Sequence, residues 1–366
     1  MSAPAAKRKT PATAAPAAKT VIVKKPKPGI AIRKAAGDAK WFDLYISQTK
    51  HFKMLMASVK ELLTDVILDF RPDGFNMQSM DSAHIGMAHL FLTRSFFSPK
   101  HAYKCPQATS ICASLPAFTK ILNVAHDSDM IRLYVDHSDP DELCIDFISA
   151  TRTSNWKMSL FDFEDDKMQI PRQNYGWIVK MRSAEFQRLI RELKIINDDN
   201  MKMIVAPTQC TFLLKGTLTN GKIVCVNDTS GLLEYKDDEK ALILAGDEEL
   251  DGDLNATLTQ IVYDQTYAFD EQGQRVDTLD LTLSMRYMEF FSKTKSLSAY
   301  VTISIRSDMP VLIEYDLDHL GNQKHEEPFG YAEEEKKSGL DFDLDEVDRR
   351  HSWLRFYLAP KIEDVV

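Results

Sequence analysis

One pattern returns four times along this chain: an amphipathic helix of about three turns, a strand, a polar turn, and a second strand. The first helix spans 52–63 and leads into DVILDF, a turn at 71–74, and FNMQSM. The second spans 115–125, with MIRLYVD and LCIDFIS around a turn at 138–141. The third spans 183–194, with MKMIVA and CTFLLKGTL around a turn near Pro207. The fourth spans 285–293, with AYVTISI and VLIEYDL around a turn near Asp308. The helices start at 52, 115, 183 and 285, so the last interval is much the longest and must hold extra chain. A helix and a strand pair cannot bury their apolar faces alone, so two units are expected per domain and two domains in the body.

Several function classes drop out. The 366 residues are 44% apolar, enough to fill two cores, yet no apolar run approaches the ~20 residues of a membrane-spanning helix. The N-terminus mixes Lys7, Arg8 and Lys9 with Ala and Pro and lacks a hydrophobic leader. Membrane and secreted classes are therefore not expected. Cys105, Cys112, Cys144, Cys210 and Cys225 are scattered without a C-x-x-C, and read as reduced intracellular thiols. Phosphate-cradle, dinucleotide, metalloprotease and nucleophile-elbow motifs are absent. No histidine pairs with a second ligand at metal spacing, so neither catalysis, a metal nor a cofactor is expected.

Charge divides the chain. Residues 1–40 hold ten basic residues and one acid, leaving 35 basic and 53 acidic for 41–366. The tail is rich in Ala, Pro and Lys and is expected to be disordered. It reads as a solubilising, import or nucleic-acid-binding segment. Two stretches are strongly acidic: 237–253 has eight acids and one base, and 320–350 has ten acids and five bases. Both read as surface insertions facing away from any nucleic acid.

The repeated helices oppose that acidity. In the first, Phe52, Leu55, Met56, Val59, Leu62 and Leu63 form the apolar face, while Lys53 and Lys60 stack on the opposite stripe beside Lys50. In the third, Phe186, Leu189, Ile190 and Leu193 oppose Arg188, Arg191 and Lys194. The second adds Lys120, and the fourth adds Arg286, Lys293 and Lys295. The windows 50–64, 115–126, 183–194 and 285–295 hold these ten bases and four acids, Glu61, Glu185, Glu192 and Glu289. One such stripe is an ordinary solvated face; four in an acidic body imply a surface for phosphates. With few aromatic residues to stack on bases, that contact carries no sequence code.

NMQSMDSAHI (76–85), DDKMQIPR (165–172), MRYMEFFSK (285–293) and FYLAPKIED (356–364) carry a resemblance. Over most of 41–363, outside the acidic stretches, the chain resembles the eukaryotic-type DNA sliding clamps, the proliferating cell nuclear antigen family. The resemblance implies an α+β clamp fold of two similar domains, helices inside and antiparallel sheets outside. Three subunits are then expected to close into a homotrimeric ring with pseudo-six-fold symmetry. The implied organisation is a tail at 1–40, clamp domain 1 at 41–163, a connector at 164–175, and domain 2 at 176–366 with insertions at about 237–276 and 320–352. Lys53, Lys60, Lys120, Arg188, Arg191, Arg286 and Lys293 match the lining of the hole. Lys50, Lys194 and Lys295 join them on charge alone.

Edge strands at about 151–159 and 218–226 are implied to join neighbouring subunits, through Trp156, Lys157, Met158, Lys222, Ile223 and Val224. The implied partner-peptide pocket comprises Met80, His84, Ile85, Met168, Ile170, Pro171, Pro310, Tyr357, Ala359, Pro360 and Ile362. The resemblance further implies duplex DNA, DNA polymerase, other enzymes with clamp-binding peptides, and an ATP-dependent loader as partners. The expected site of action is the nucleus or the intracellular replication compartment of a large DNA virus. Competing readings are a subunit of a heteromeric checkpoint-type clamp, a monomeric relative, a metal-dependent nucleic-acid enzyme, and a scaffold bound through its tail. Departures from the family stand at Met54 and Asn123, where bases are expected, and in the connector at Met168 and Gln169. The turn 206–209 also lacks the lysine at which the family is modified.

Overall fold

The structure, a computed structural model, describes residues 40–101, 103–162, 175–227, 259–263, 277–307, 309–320 and 351–361. Each helix is preceded by one strand and followed by three. The first unit is β1 (Lys40–Ile46), α1 (Thr49–Val59), β2 (Asp65–Arg71), β3 (Gly74–Met80) and β4 (Gly86–Thr93). The second is β5 (Thr109–Ser114), α2 (Leu115–Leu122), β6 (Met130–Asp136), β7 (Glu142–Ile148) and β8 (Thr153–Ser159). The third is β9 (Trp177–Arg182), α3 (Ser183–Lys194), β10 (Asn200–Ala206), β11 (Gln209–Lys215) and β12 (Asn220–Val226). After β13 (Gln260–Tyr263) comes the fourth: β14 (Leu279–Ser284), α4 (Met285–Ser292), β15 (Tyr300–Ile305), β16 (Val311–Asp316) and β17 (Trp353–Leu358).

The strands form two four-stranded sheets, β1-β6-β7-β8 and β12-β11-β10-β14, and a nine-stranded sheet, β13-β9-β15-β16-β17-β4-β3-β2-β5. All the pairings within them are antiparallel. The long sheet runs through both halves of the body because β17 pairs with β4, from Trp353 opposite Phe91 to Leu358 opposite Gly86. Gly74 closes the β2–β3 hairpin, where a Cβ would lie 2.3 Å from the Leu92 carbonyl oxygen.

Helix faces and sheet faces meet in one core. Phe52, Leu55, Met56 and Val59 of α1, Phe118 and Leu122 of α2, Phe186 and Leu189 of α3, and Met288 and Phe291 of α4 are all buried there. Pro116 occupies the first turn of α2, where the missing amide proton costs nothing. Asn197, with φ 57°, takes the left-handed conformation just beyond α3.

The connector placed at 164–175 lies outside the described residues except for Tyr175. Of the interval 237–276 only 259–263 is described, and it holds a strand: β13 pairs with β9, from Gln260 opposite Lys180 to Tyr263 opposite Trp177. That stretch extends the sheet and so is framework, with the acidic run 237–253 outside the described residues. The interval 320–352 is described only at its ends, where Leu320 and Ser352 are buried. The Leu317 amide donates to the Ser352 carbonyl at 2.9 Å, fixing the two ends together.

Candidate nucleic-acid interface

The four helices form a chain of neighbours: α2 packs beside α1, α1 also meets α4, and α4 packs against α3. Since their apolar faces are buried on the sheets, their polar stripes turn the other way. Lys50, Lys60, Lys120, Arg188, Arg191, Lys194, Arg286 and Lys293 are exposed. Lys53 and Lys295 are half-buried, Lys295 in the short turn Lys293–Ser296 that follows α4.

All four helix acids pair with these bases. Lys194 of α3 pairs with Glu289 of α4, and Lys293 reaches Glu61 just past α1. Arg188 is flanked by Glu192 at 3.0 Å and Glu185 at 3.9 Å. Lys53 donates to the Ala125 carbonyl and to Asp127. Lys50, Lys60 and Lys120 carry no ion pair among the described residues. Among the described residues Arg191 donates only to the neutral Gln187 side chain, and Arg286 lies over the Phe290 ring. Exposed ion pairs of this kind add little stability, but each lowers the local positive potential. Met54 packs against the core and Asn123 is exposed, so neither adds charge to this face.

The sheet brings part of the predicted pocket into a row. Met80 of β3 faces Met87 of β4, Met87 faces Tyr357 of β17, and Tyr357 faces Leu312 of β16. Directly opposed residues share a sheet face, so these four side chains form one apolar band across the β4–β17 join. Met87 and Leu312 were not foreseen; strand alternation around Met80 and Tyr357 was the available signal. Beside the band, the Ala359 amide donates to the Ile85 carbonyl at 3.1 Å. Ile85 is exposed, and His84, also exposed, is held at φ 55°. Pro310 is exposed immediately before β16, and Pro360 is half-buried. Met168, Ile170, Pro171 and Ile362 lie outside the described residues.

Among the described residues, β8 and β12 stand at the ends of the four-stranded sheets and each has one unpaired edge. Trp156, Lys157, Lys222 and Val224 are exposed on them. Met158 is buried and Ile223 packs against the core. Lys157 is held by Glu142 at 2.7 Å and Asp139 at 3.4 Å. In the repeat, β4 and β12 close the first and third units, while β8 and β17 close the second and fourth. The strands that hold the equivalent places to β4 and β17, β12 and β8, are not paired with each other among the described residues.

Two family models match this chain. The model described as proliferating cell nuclear antigen, N-terminal domain, covers residues 41–169. The model described as proliferating cell nuclear antigen, C-terminal domain, covers 169–256 and 249–328.

Proposed function

Because this chain belongs to the proliferating cell nuclear antigen family of DNA sliding clamps, we propose that three copies close into a ring around duplex DNA and tether a DNA polymerase to its template. The observation that carries the reading is the β4–β17 join. The chain already pairs a unit-closing strand of one half with a unit-closing strand of the other, and among the described residues the equivalent edges, β12 and β8, are open. A β12 edge meeting β8 of the next copy repeats that contact between subunits, and a head-to-tail contact that closes on itself gives a ring. It also removes both exposed edges. Where β4 meets β17, α1 meets α4; at the subunit joint α3 meets α2 of the next copy.

The lining then consists of the cationic stripes. Lys50, Lys53, Lys60, Lys120, Arg188, Arg191, Lys194, Arg286, Lys293 and Lys295 meet phosphates, which are alike at every base pair, so attraction does not fix a position along the duplex. Encirclement provides retention and the protein catalyses no reaction. The band of Met80, Met87, Tyr357 and Leu312, with Ile85, Pro310 and Ala359 beside it, accepts apolar anchors of partner peptides, its methionines repacking around different ones. A closed ring needs an ATP-dependent loader. The site of action is the nucleus or a viral replication compartment.

The test loads the full chain onto a primed circular template with a clamp loader and polymerase. The reading predicts processive synthesis and a clamp that stays on the circle until it is cut open. Equal loss from circular and linear DNA contradicts it.

A further inference from the structure

The first turn of α4 sits between two carboxylates, each of which also holds one side of the proposed partner pocket. Asp81 begins the loop carrying His84 and Ile85. Its Oδ1 accepts from the amides of Ile85 and Gly86, both at 2.8 Å, and its Oδ2 accepts from the Ala83 amide at 3.1 Å. The remaining donor comes from the other half of the chain: the Tyr287 hydroxyl on α4 donates to Asp81 Oδ2 at 2.6 Å. Asp81 and Tyr287 are both buried. A Cβ at Gly86 would stand 2.9 Å from the Tyr287 ring, so ring and loop are in close contact as well as hydrogen-bonded.

Asp199 serves the opposite side. It accepts from the Arg286 amide at 2.9 Å and the Ser284 hydroxyl at 3.0 Å, and its carbonyl accepts from the Met285 amide at 3.0 Å. Its Oδ2 also receives Lys361 Nζ at 2.8 Å. That ammonium further reaches Asn200 Oδ1 at 2.7 Å, and the Lys361 amide donates to the Thr282 carbonyl. The segment held this way is the one carrying Ala359 and Pro360, and Ala359 in turn bonds to Ile85. The loop, the C-terminal segment and the first turn of α4 thus form a closed circuit of hydrogen bonds.

We propose that Tyr287 and Lys361 are positioning residues for the partner pocket: through Asp81 and Asp199 they fix both of its sides to the first turn of α4. The inference rests on the pocket reading above. Neither side chain belongs to the apolar band, so the effect is pre-organisation. A pocket with its sides already placed loses less freedom when a peptide docks. Buried Asp81, left with one donor fewer, shifts to recover it and the loop shifts with it, whereas Asp199 is exposed and the loss of Lys361 loosens only the C-terminal segment. Arg286, which precedes Tyr287 on the same turn, is among the cations of the helix face, so one turn of helix carries both a lining charge and the pocket supports.

The test uses the full chain and a fluorescein-labelled peptide carrying one isoleucine and two phenylalanine anchors. Wild-type protein binds it; Tyr287→Phe weakens binding about fivefold, the scale of one ordinary hydrogen bond, and Lys361→Ala about twofold, the scale of an exposed ion pair. Lys361→Arg, which keeps a donor for Asp199, restores binding, whereas a loss of general stability would not distinguish Arg from Ala in this way. Native mass and the salt dependence of duplex binding stay at wild-type values in Tyr287→Phe. Wild-type affinity in both Tyr287→Phe and Lys361→Ala overturns the inference and leaves the pocket standing. Failure of the wild-type protein to bind the peptide overturns the pocket reading and this inference with it. Lys361 is half-buried with its ion pair at the surface, so its variants fold even where Tyr287→Phe does not.

Discussion

The β4–β17 join and the β8 and β12 edges hold equivalent places in the repeat and are built from opposite materials. β4 is GMAHLFLT and β17 is WLRFYL, both mostly buried. β8 is TSNWKMS, exposed at all but two positions, and β12 is NGKIVCV, exposed at alternate ones. A join that never opens can be apolar on both faces and fold as core. The β8 and β12 edges carry Lys157, Lys222, Ser and Asn, and only a few apolar side chains such as Trp156 and Val224, as suits an edge proposed to stay in water until a second copy arrives. The contrast is what the proposed ring requires of a permanent join and a joint between copies.

Changes on the two sides of this comparison should fail differently. The largest effect is expected at the permanent join: Phe356→Ala removes a buried ring stacked on Phe291 and should cost about 3–5 kcal/mol of folding stability, read as a lower denaturant midpoint. Val224→Glu, on the open edge, should leave the thermal midpoint of the subunit nearly unchanged while the native mass falls to one chain of 41.7 kDa. If Val224→Glu unfolds the chain as Phe356→Ala does, the two regions are not the distinct structures described.

The lining offers a finer comparison, between paired and unpaired cations. Lys60→Ala with Arg191→Ala should flatten the salt dependence of duplex binding by roughly one counterion per lost phosphate contact. Glu289→Gln with Glu61→Gln, which releases Lys194 and Lys293 from their ion pairs, should steepen it by a similar amount. The smallest effect concerns acid. Burial raises the pKa of Asp81, but the Tyr287 hydroxyl and the amides of Gly86, Ala83 and Ile85 outweigh it and hold the carboxyl below its ordinary 3.8. A folded-state pKa depressed in this way contributes stability that is present above pH 3.8 and lost as pH falls through the lower, folded value. Tyr287→Phe should therefore shrink the acid-induced loss in an unfolding titration below pH 4.

The four helices were legible because their apolar faces repeat at 3.6 residues and their charges fall on the other side, though the first is Thr49–Val59 and not 52–63, so Leu62 and Leu63 lie past its end. So were the paired strands that follow them, since DVILDF and MIRLYVD alternate. The strand before each helix was not: β5 (TSICAS) does not alternate, and β9 (WIVKMR) leads directly into α3 without a turn. β4 escaped because a strand buried on both faces shows no alternation. β13 lay in an interval dominated by its acids. For the site, the pattern supplied the cations but not their partners. That Glu289 faces Lys194 and Glu61 faces Lys293 depends on which helices touch, a tertiary fact that no local spacing encodes. Nothing near Asp81 in the sequence signals its bond to Tyr287, 206 positions away, which appears only once both halves share a sheet.

The central claim, that the open β12 and β8 edges join copies as β4 and β17 join halves, is tested most directly by the native mass of the full-length chain across a dilution series. The account predicts a particle of three times 41.7 kDa that Val224→Glu reduces to a single chain. A wild-type protein that remains a single chain at every concentration contradicts it.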